Sequence, residues 1–443
     1  MFTNVSFEQK DEWAGELLTA KVSHLDLDAK NINIAKKKID INSLKLIDPY
    51  FHTYSYKGRR PYHPITIKEK AAQPWDVAIA ELVINGGHLK LDNNSLTPTV
   101  NYFDSKHLDF TSINTTIKNL RWQGDTLRAN VDLATTERSG LQVKTLKGAL
   151  KMTPQVLEFA NFYLQTNESI LRNYFAMRFD SLGSLNDIEH AVKMDANFVN
   201  SEIASNDVAL FAPYLKTWHR KFGLNGKIKG TVDDLSGKAV TIQSGSTFFN
   251  GDFNIIGLPN INKSYINATA SDLHTTYTDL SRMFPDIRKV TMPDFKRISY
   301  LHFHGTFTGF LNDFVTYGTI QTNLGTLVTD LNMKLPKGGL PAYSGSLTTK
   351  NFQLGRFFNN PDLGTVSFNG DVKGRGFTNS QLDLTLNGKV QKIQYNGYTY
   401  QNITAKGKIS KNLLNGDFTM NDPNAAVHLT GLIDLSKALP RLT

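Results

Sequence analysis

The stretch Asn421-Asp422-Pro423-Asn424-Ala425-Ala426-Val427-His428-Leu429-Thr430-Gly431-Leu432-Ile433-Asp434-Leu435 decides how this chain reads. Asp422-Pro423-Asn424 is a turn signal, because an Asp side chain can bond its own backbone and Pro presets φ. Beyond it, Val427, Leu429, Ile433 and Leu435 fall on one side of an extended strand and His428 and Thr430 on the other. Side chains of period two give a strand one apolar and one polar face. Working outward, Leu382, Leu384 and Leu386 share a face, while Asp383, Thr385 and Asn387 take the other. Val366, Phe368, Val372, Ile403, Phe418 and Met420 extend the pattern. No long amphipathic helix lies between these strands to cover the apolar face. A sheet of this kind must pack on a second sheet, curl around its own apolar face, or offer that face to an apolar ligand.

Composition narrows the function classes. The chain has 443 residues, room for two or three domains or one elongated repeat structure. It has no Cys, which removes disulfides, thiolate metal sites and a Cys nucleophile. The net charge of +9 is diffuse. Its densest run, Lys36-Lys37-Lys38, lies between strand-like segments and reads as a solvated turn with a weak attraction to anionic headgroups. Lys and Arg do not cluster with stacking aromatics, so no nucleic-acid partner is expected. No apolar run approaches the ~20 residues of a membrane helix, and no secretory signal pattern is present. The chain opens in mid-pattern and stops at Leu442-Thr443, so we expect a piece of a longer polypeptide with anchors and export signals outside it.

The amino-terminal part reads as short strands: Leu25-x-Leu27, Ile32-x-Ile34, Ile39-x-Ile41 and Leu44-x-Leu46, closed by Asp48-Pro49. Residues 57–75, rich in Pro and basic residues, read as a loop. Strands resume at Val77–Leu91, with Gly86-Gly87 expected as a turn, and continue through Ile113–Ile117, Leu127–Leu133 and Val156–Leu164. From about residue 200 a repeat emerges. Gly226-Lys-Ile-Lys-Gly230, Gly305-Thr-Phe-Thr-Gly309 and Gly370-Asp-Val-Lys-Gly374 share one form. Each follows a segment with short-helix character, near 207–215, 279–284 and 354–358. Units of several strands plus a short helix are the mark of a stack in which each unit packs on its neighbours. Gly370, Gly374, Gly388, Gly407, Gly416 and Gly431 sit within strand patterns, where Gly permits bulges and bending.

Chemistry finds little footing. His302-x-His304 projects from one strand face, yet no nearby third ligand completes a metal site. Gly245-Ser246-Thr247 lacks the rest of a phosphate loop, and no nucleophile elbow or His-Glu-x-x-His occurs. Catalytic residues, metal and cofactor are all expected to be none. Asp422-Pro423-Asn424 reads as a turn rather than a carboxylate site.

These residues resemble a known family. Tyr395-Asn-Gly-Tyr-Thr-Tyr-Gln-Asn-Ile-Thr-Ala-Lys-Gly-Lys-Ile409, Leu414-Asn-Gly-Asp-Phe418, Asn421-Asp-Pro-Asn424 and Gly431-Leu-Ile-Asp-Leu435 look like the TamB proteins of Bacteroidota, within the AsmA-like, repeating β-groove group. The Asp207 helix, the Gly-x-apolar-x-Gly turns and Gly257-Leu-Pro-Asn-Ile261 fit as well. None of these motifs is a catalytic signature. The resemblance implies a periplasmic, envelope-spanning protein with an inner-membrane anchor and an outer-membrane Omp85-type partner, both engaged through regions outside this sequence. It also implies phospholipid as cargo.

The resulting expectation is an all-β, elongated, curled (taco-like) sheet with an apolar lining and a few short helices. It divides into an AsmA-like β segment at 1–56, a β-rich groove segment at 57–205 and repeating groove units at 206–443. The lining is expected from Val366, Phe368, Val372, Leu382, Leu384, Leu386, Ile403, Phe418, Met420, Val427, Leu429, Ile433 and Leu435. The expected function is non-enzymatic: shielding acyl chains while phospholipid passes between membranes. The alternative is a scaffold that assembles outer-membrane proteins by pairing their strands with its sheet edges. A closed sandwich, with the same residues as its core, is the plain structural competitor.

Overall fold

A computed structural model describes residues 1–59, 74–94, 97–290, 292–378, 380–411, 413–434 and 441–442. Most of the 57–75 segment and all of Leu435 lie outside the described residues. The chain divides into two compact units, Met1–Leu235 and Ser236–Thr443. Both are built from strands, with four α-helices of four to seven residues among the described residues.

The first unit holds β1 (Phe2–Asp11), β2 (Glu16–Asn33), β3 (Lys38–Ile47), β4 (Tyr50–Ser55), β5 (Asp76–Asn93), β6 (Leu108–Gln123), β7 (Thr126–Glu137), β8 (Gln142–Thr153), β9 (Val156–Gln165), β10 (Ile170–Arg178), α1 (Ile188–Ala191), β11 (Lys193–Ala204), α2 (Ser205–Val208) and β12 (Lys221–Gly230). The long β2 pairs antiparallel with β1, β3 and β4. β3 and β4 then lie parallel to the two halves of β5. From β5 to β12 each strand is antiparallel to the next. The expected turn at Gly86-Gly87 is a correction: β5 runs straight through it, and the pair forms a bulge with Gly86 at φ +71°. A glycine here relieves local register, a role that sequence cannot distinguish from a hairpin turn.

The second unit holds β13 (Asp234–Ser244, beginning just ahead of the division), β14 (Thr247–Ile256), β15 (Tyr265–Thr275), α3 (Tyr277–Met283), β16 (Leu301–Phe310), β17 (Asp313–Thr322), β18 (Gly325–Lys334), β19 (Ala342–Gln353), α4 (Leu354–Phe357), β20 (Leu363–Arg375), β21 (Asp383–Tyr395), β22 (Tyr398–Ser410), β23 (Leu413–Asp422), β24 (Ala425–Asp434) and β25 (Arg441–Leu442). From β14 onward every strand is antiparallel to its successor.

The three Gly-x-apolar-x-Gly motifs lie on β12, β16 and β20, each the first strand after a short helix. The preceding pairings, β11–β12, β15–β16 and β19–β20, each carry a register shift just before that helix. The first expected helix is shorter than its pattern: α2 ends at Val208 and a 3₁₀ turn follows from Pro213, whose ring cannot continue a regular helix.

Two of these helices are tied down by an aspartate. Asp207 accepts hydrogen bonds from Ser169 N (2.8 Å), Ser169 Oγ (2.6 Å), Thr166 Oγ1 (2.5 Å) and Glu168 N (3.1 Å), all in the β9–β10 turn. Asp279 of α3 takes Ser246 N (2.8 Å) and Ser246 Oγ (2.6 Å) in the β13–β14 turn. At α4 an apolar contact replaces the carboxylate: Leu324 of the β17–β18 turn is buried with Phe352, Val366 and Phe368, and Leu354 and Phe357 pack against them. At β23–β24 no helix forms, and Asp422 itself reaches back to Tyr398 Oη (2.5 Å) and Gln401 N (3.0 Å) while accepting from Asn424 N (3.0 Å).

Candidate functional site: the apolar face of β14–β24

Directly opposed residues of an antiparallel pair share a face, so the register defines what that face contains. One rung runs Ile255, Ile266, Gly309, Phe314, Met333, Tyr343, Gly374, Leu384, Ile409, Leu414, Ile433. A second runs Phe249, Leu273, Phe303, Ile320, Leu327, Thr349, Phe368, Val390, Ile403, Met420, Val427. Its one polar member, Thr349, spends its hydroxyl on the Val366 carbonyl (3.3 Å) and the Phe368 amide (3.0 Å). The adjacent rung on the opposite face runs Asp252, Thr269, Thr306, Tyr317, Asp330, Ser346, Asp371, Asn387, Lys406, Asp417, Thr430.

Burial is graded across the apolar face. Phe303, Phe368, Ile403 and Met420, on the rung nearer the helices, are buried. On the rung that contains Leu384, the described side chains of Ile255, Ile266, Phe314, Met333, Tyr343, Leu384, Ile409 and Leu414 are only half-buried. Between them lie two more rungs on the same face, one that includes the opposed pairs Gly305–Gly318 and Gly370–Gly388 and one that includes Gly407–Gly416. A Cβ on Gly305 would lie 2.7 Å from Gly318 Cα, and one on Gly388 would lie 2.8 Å from Gly370 Cα. Opposed Cβ atoms normally stand ~4.5–5.5 Å apart, so at these two pairs the backbones approach too closely on the apolar side to admit side chains.

An open concavity of about 540 Å³ occupies this face at β21–β23. Leu386, Ile403, Phe418 and Met420, four of the thirteen residues singled out from sequence, line it. Val366 and Phe368 lie instead in the adjoining buried cluster with Leu324 and Phe352, and Val372 packs against them. Val390 and Ile393 belong to both groups. Leu384 stands between Gly374 and Ile409 on the more open rung. Val427 and Leu429 continue the rungs of Met420 and Phe418 onto β24, and Ile433 pairs with Leu414. Leu382 precedes β21 in a turn, its amide bonded to the Thr378 carbonyl. Sequence reasoning did not single out Val390, Ile393, Tyr395, Tyr400, Ala405, Ile409 and Leu414, which line it too, and Lys406-Gly407 and Gly416-Asp417 complete the lining. Ile403-Ala405-Gly407-Ile409 was legible by alternation. Ile393 and Tyr395 were not, because a bulge in the β20–β21 pairing reverses their parity relative to Val390.

Rings from the two ends of β20 come together. Phe358, at the end of α4, and Phe377, just past β20, have ring centroids 6.4 Å apart, and Phe377 stacks on Tyr343 at 5.2 Å and 3°. Among the described residues no group of three His, Asp or Glu side chains is placed to hold a metal. His302 and His304 are exposed; His304 Nδ1 lies 2.9 Å from the Ser271 carbonyl oxygen. No helix among the described residues is long and apolar enough to cross a membrane. Comparison with family models, curated proteins and solved structures returns no match for this chain.

Proposed function

We propose that the chain is a TamB-like β-groove protein of the cell envelope. In this reading its second unit holds phospholipid acyl chains on a curled apolar face while headgroups stay in water. The observation that carries the reading is the run of mostly apolar and glycine rungs from β14 to β24, interrupted only by threonines such as Thr316, Thr329 and Thr349 and only partly buried on the Leu384 rung. Curling is supported by the glycine pairs, whose backbones crowd together on the apolar side. It is supported also by β20: thirteen residues span roughly 40 Å when extended, yet the rings flanking its two ends meet. A closed sandwich would bury alternate side chains on every rung. Each methylene moved out of water is worth ~0.8 kcal/mol, so such a lane lowers the cost of carrying a lipid through an aqueous space. The function is non-enzymatic, and an Omp85-type partner and inner-membrane anchor belong to the same proposal.

Leu384→Arg tests it. Leu384 is only half-buried, so the long arginine side chain can snorkel to water and the fold tolerates it while the lane acquires a charge. In a packed core the same charge is buried and unpaired, which typically costs several kcal/mol. Photo-crosslinked lipid and thermal stability are measured together. Loss of lipid adducts with a near-native melting temperature supports the conduit. Collapse of the fold, or no adduct in the wild type, defeats it.

A further inference from the structure

In the first unit, we propose that the β2–β3 turn and the end of the sheet beside it form a seat for an anionic phospholipid surface. The seat is separate from the conduit and stands whether or not the second unit carries lipid. Register places one apolar rung at this end of the sheet: Ile32, Ile39, Val77 and Trp122 are paired in turn across β2, β3, β5 and β6. Four strands spaced ~4.8 Å apart span roughly 14 Å. Both ends of that span are open to water, with Ile32 50% and Trp122 46% exposed, and Ile34 in the turn is 73% exposed. The strand carrying Ile32 is also an edge. Pairing of β2 with β1 ends at Leu25 and with β4 at Lys21, so among the described residues β3 is the one strand partner of residues 26–33. The turn therefore stands at a corner of the sheet.

Charge completes the seat. Lys36 and Lys38 at the turn and Lys30 on the edge strand are exposed, and Lys37 is half-buried. Elsewhere on the sheet lysines are matched by acids: Lys90 by Asp92, Lys147 by Asp132, Lys334 by Asp313. Among the described residues none of the four lysines of the seat is in an ion pair. Asp76, opposite Lys38, is taken by Arg121 at 3.5 Å, and Asp28 accepts from Asn42 Nδ2 at 3.2 Å. Backbone bonds order the turn: the Lys36 amide donates to Asn33 Oδ1 (2.9 Å), the Lys37 amide to the Ile34 carbonyl (3.0 Å) and the Asp76 amide to the Lys37 carbonyl (2.9 Å). Lysines alone would suffice to keep an edge strand from pairing with another chain; exposed isoleucines and a tryptophan beside them do not serve that end. The combination suits the headgroup layer of a bilayer, where ammonium groups meet phosphates while aliphatic side chains and an indole enter the acyl boundary.

The test is flotation of the whole chain with vesicles of phosphatidylglycerol and phosphatidylcholine, against vesicles of phosphatidylcholine alone. The wild type should bind the anionic vesicles and not the neutral ones. Lys36→Gln, Lys37→Gln and Lys38→Gln together should weaken binding on the order of a hundredfold, each lysine near an anionic surface being worth about fivefold. Ile34→Ser, which leaves the charge alone, should weaken it about tenfold. Thermal melting confirms that the variants fold, as expected for changes confined to an exposed turn. The chain has no native cysteine, so Ala35→Cys carries an environment-sensitive fluorophore that should shift to the blue on anionic vesicles, while the same label at Lys337→Cys in the second unit should not. Binding that both variants keep within about threefold is diffuse attraction by the net charge and overturns the seat. So does binding that needs the lysines but leaves the label at position 35 unmoved, or a wild type that ignores anionic vesicles. Lipid adducts in the Leu384→Arg experiment are a separate readout, so failure of the seat and failure of the conduit are told apart.

Discussion

Single residues on this sheet are constrained from two directions, by space and by hydrogen bonding. Gly388 has ordinary backbone angles, but a Cβ there would stand 2.8 Å from both Gly370 Cα and Phe368 Cε2. Gly388→Val is expected to cost about 1–3 kcal/mol through forced displacement of β20. By contrast Gly397, in the Asn396-Gly397 turn at φ +78°, has nothing within 4 Å of a Cβ. Gly397→Asn should cost less than about 1 kcal/mol, since Asn tolerates the left-handed region. Chemical denaturation of the two variants separates close approach from backbone conformation. His107 shows the second constraint. Its side chain is 4% exposed, with Nδ1 2.9 Å from Asp104 Oδ2 and Nε2 2.9 Å from the Asn93 carbonyl oxygen. Both ring nitrogens face acceptors, so the charged imidazolium fits best. Burial pulls its pKa down, but the Asp104 and Asn93 hydrogen bonds and the Asp104 and Asp92 charges outweigh this and leave it raised above 6.5. Arg138, bonded to the His107 carbonyl, and Lys90, paired with Asp92, are the neighbouring cations. The stabilisation is present below pH 6.5 and is lost as pH rises through the higher folded value. On the acid side, Asp104 is also desolvated, which favours protonation, yet the amides of Thr99 and Lys106 and His107 hold its pKa below 3.8. Its contribution is present above 3.8 and fades as pH falls through the folded value. After correction for intrinsic rates, exchange protection of the Thr99, Lys106 and His107 amides should therefore peak at mildly acidic pH. Protection that rises steadily through neutral pH contradicts it.

At the scale of elements, the helices owe their place to turns two strands back rather than to helical propensity, since four to seven residues are too short to be stable alone. Asp207→Ala strands the donors of the β9–β10 turn and should cost about 1–3 kcal/mol. Faster exchange of the Ser169 and Glu168 amides would localise the loss, and unchanged exchange there would refute the clasp. Strand alternation and the three helical segments were legible in sequence because each is encoded within a few residues: Leu384 with Leu386, Leu280 with Phe284, Leu354 with Phe358. The clasps were not. Asp207 bonds residues 38–41 positions away, and Asp422 had been read only through its local turn, which is present, while its longer reach to Tyr398 depends on the β21–β22 hairpin. Gly86-Gly87 fails for the same reason, since a bulge and a turn use the same residue and only the partner strand tells them apart.

Taken over the whole molecule, the unusual feature is how little apolar surface is sealed. Among the described residues of the second unit, a buried cluster of Leu324, Phe352, Val366 and Phe368 lies beside α4, while the described side chains of the Leu384 rung are only half-buried. Sequence alone left the face divided between a sandwich core and an open lane, because alternation is identical in both; the proposed conduit rests on the partial burial of that rung. A face left this open should behave as an incomplete core that a ligand completes. Any molecule that binds the folded chain and not the unfolded one adds RT ln(1 + [L]/Kd), about 2.7 kcal/mol at a hundredfold excess over Kd. We therefore expect the delipidated native protein to bind a hydrophobic dye such as anilinonaphthalene sulfonate, and lysophospholipid below its micelle concentration to displace the dye and raise the melting temperature in a dose-dependent way. Leu384→Arg should weaken both responses without abolishing the fold, since its rung adjoins the concavity at Ile409. A native state that takes up no dye, and a melting temperature indifferent to lysophospholipid, would mean that the sheet closes on itself in solution and carries nothing.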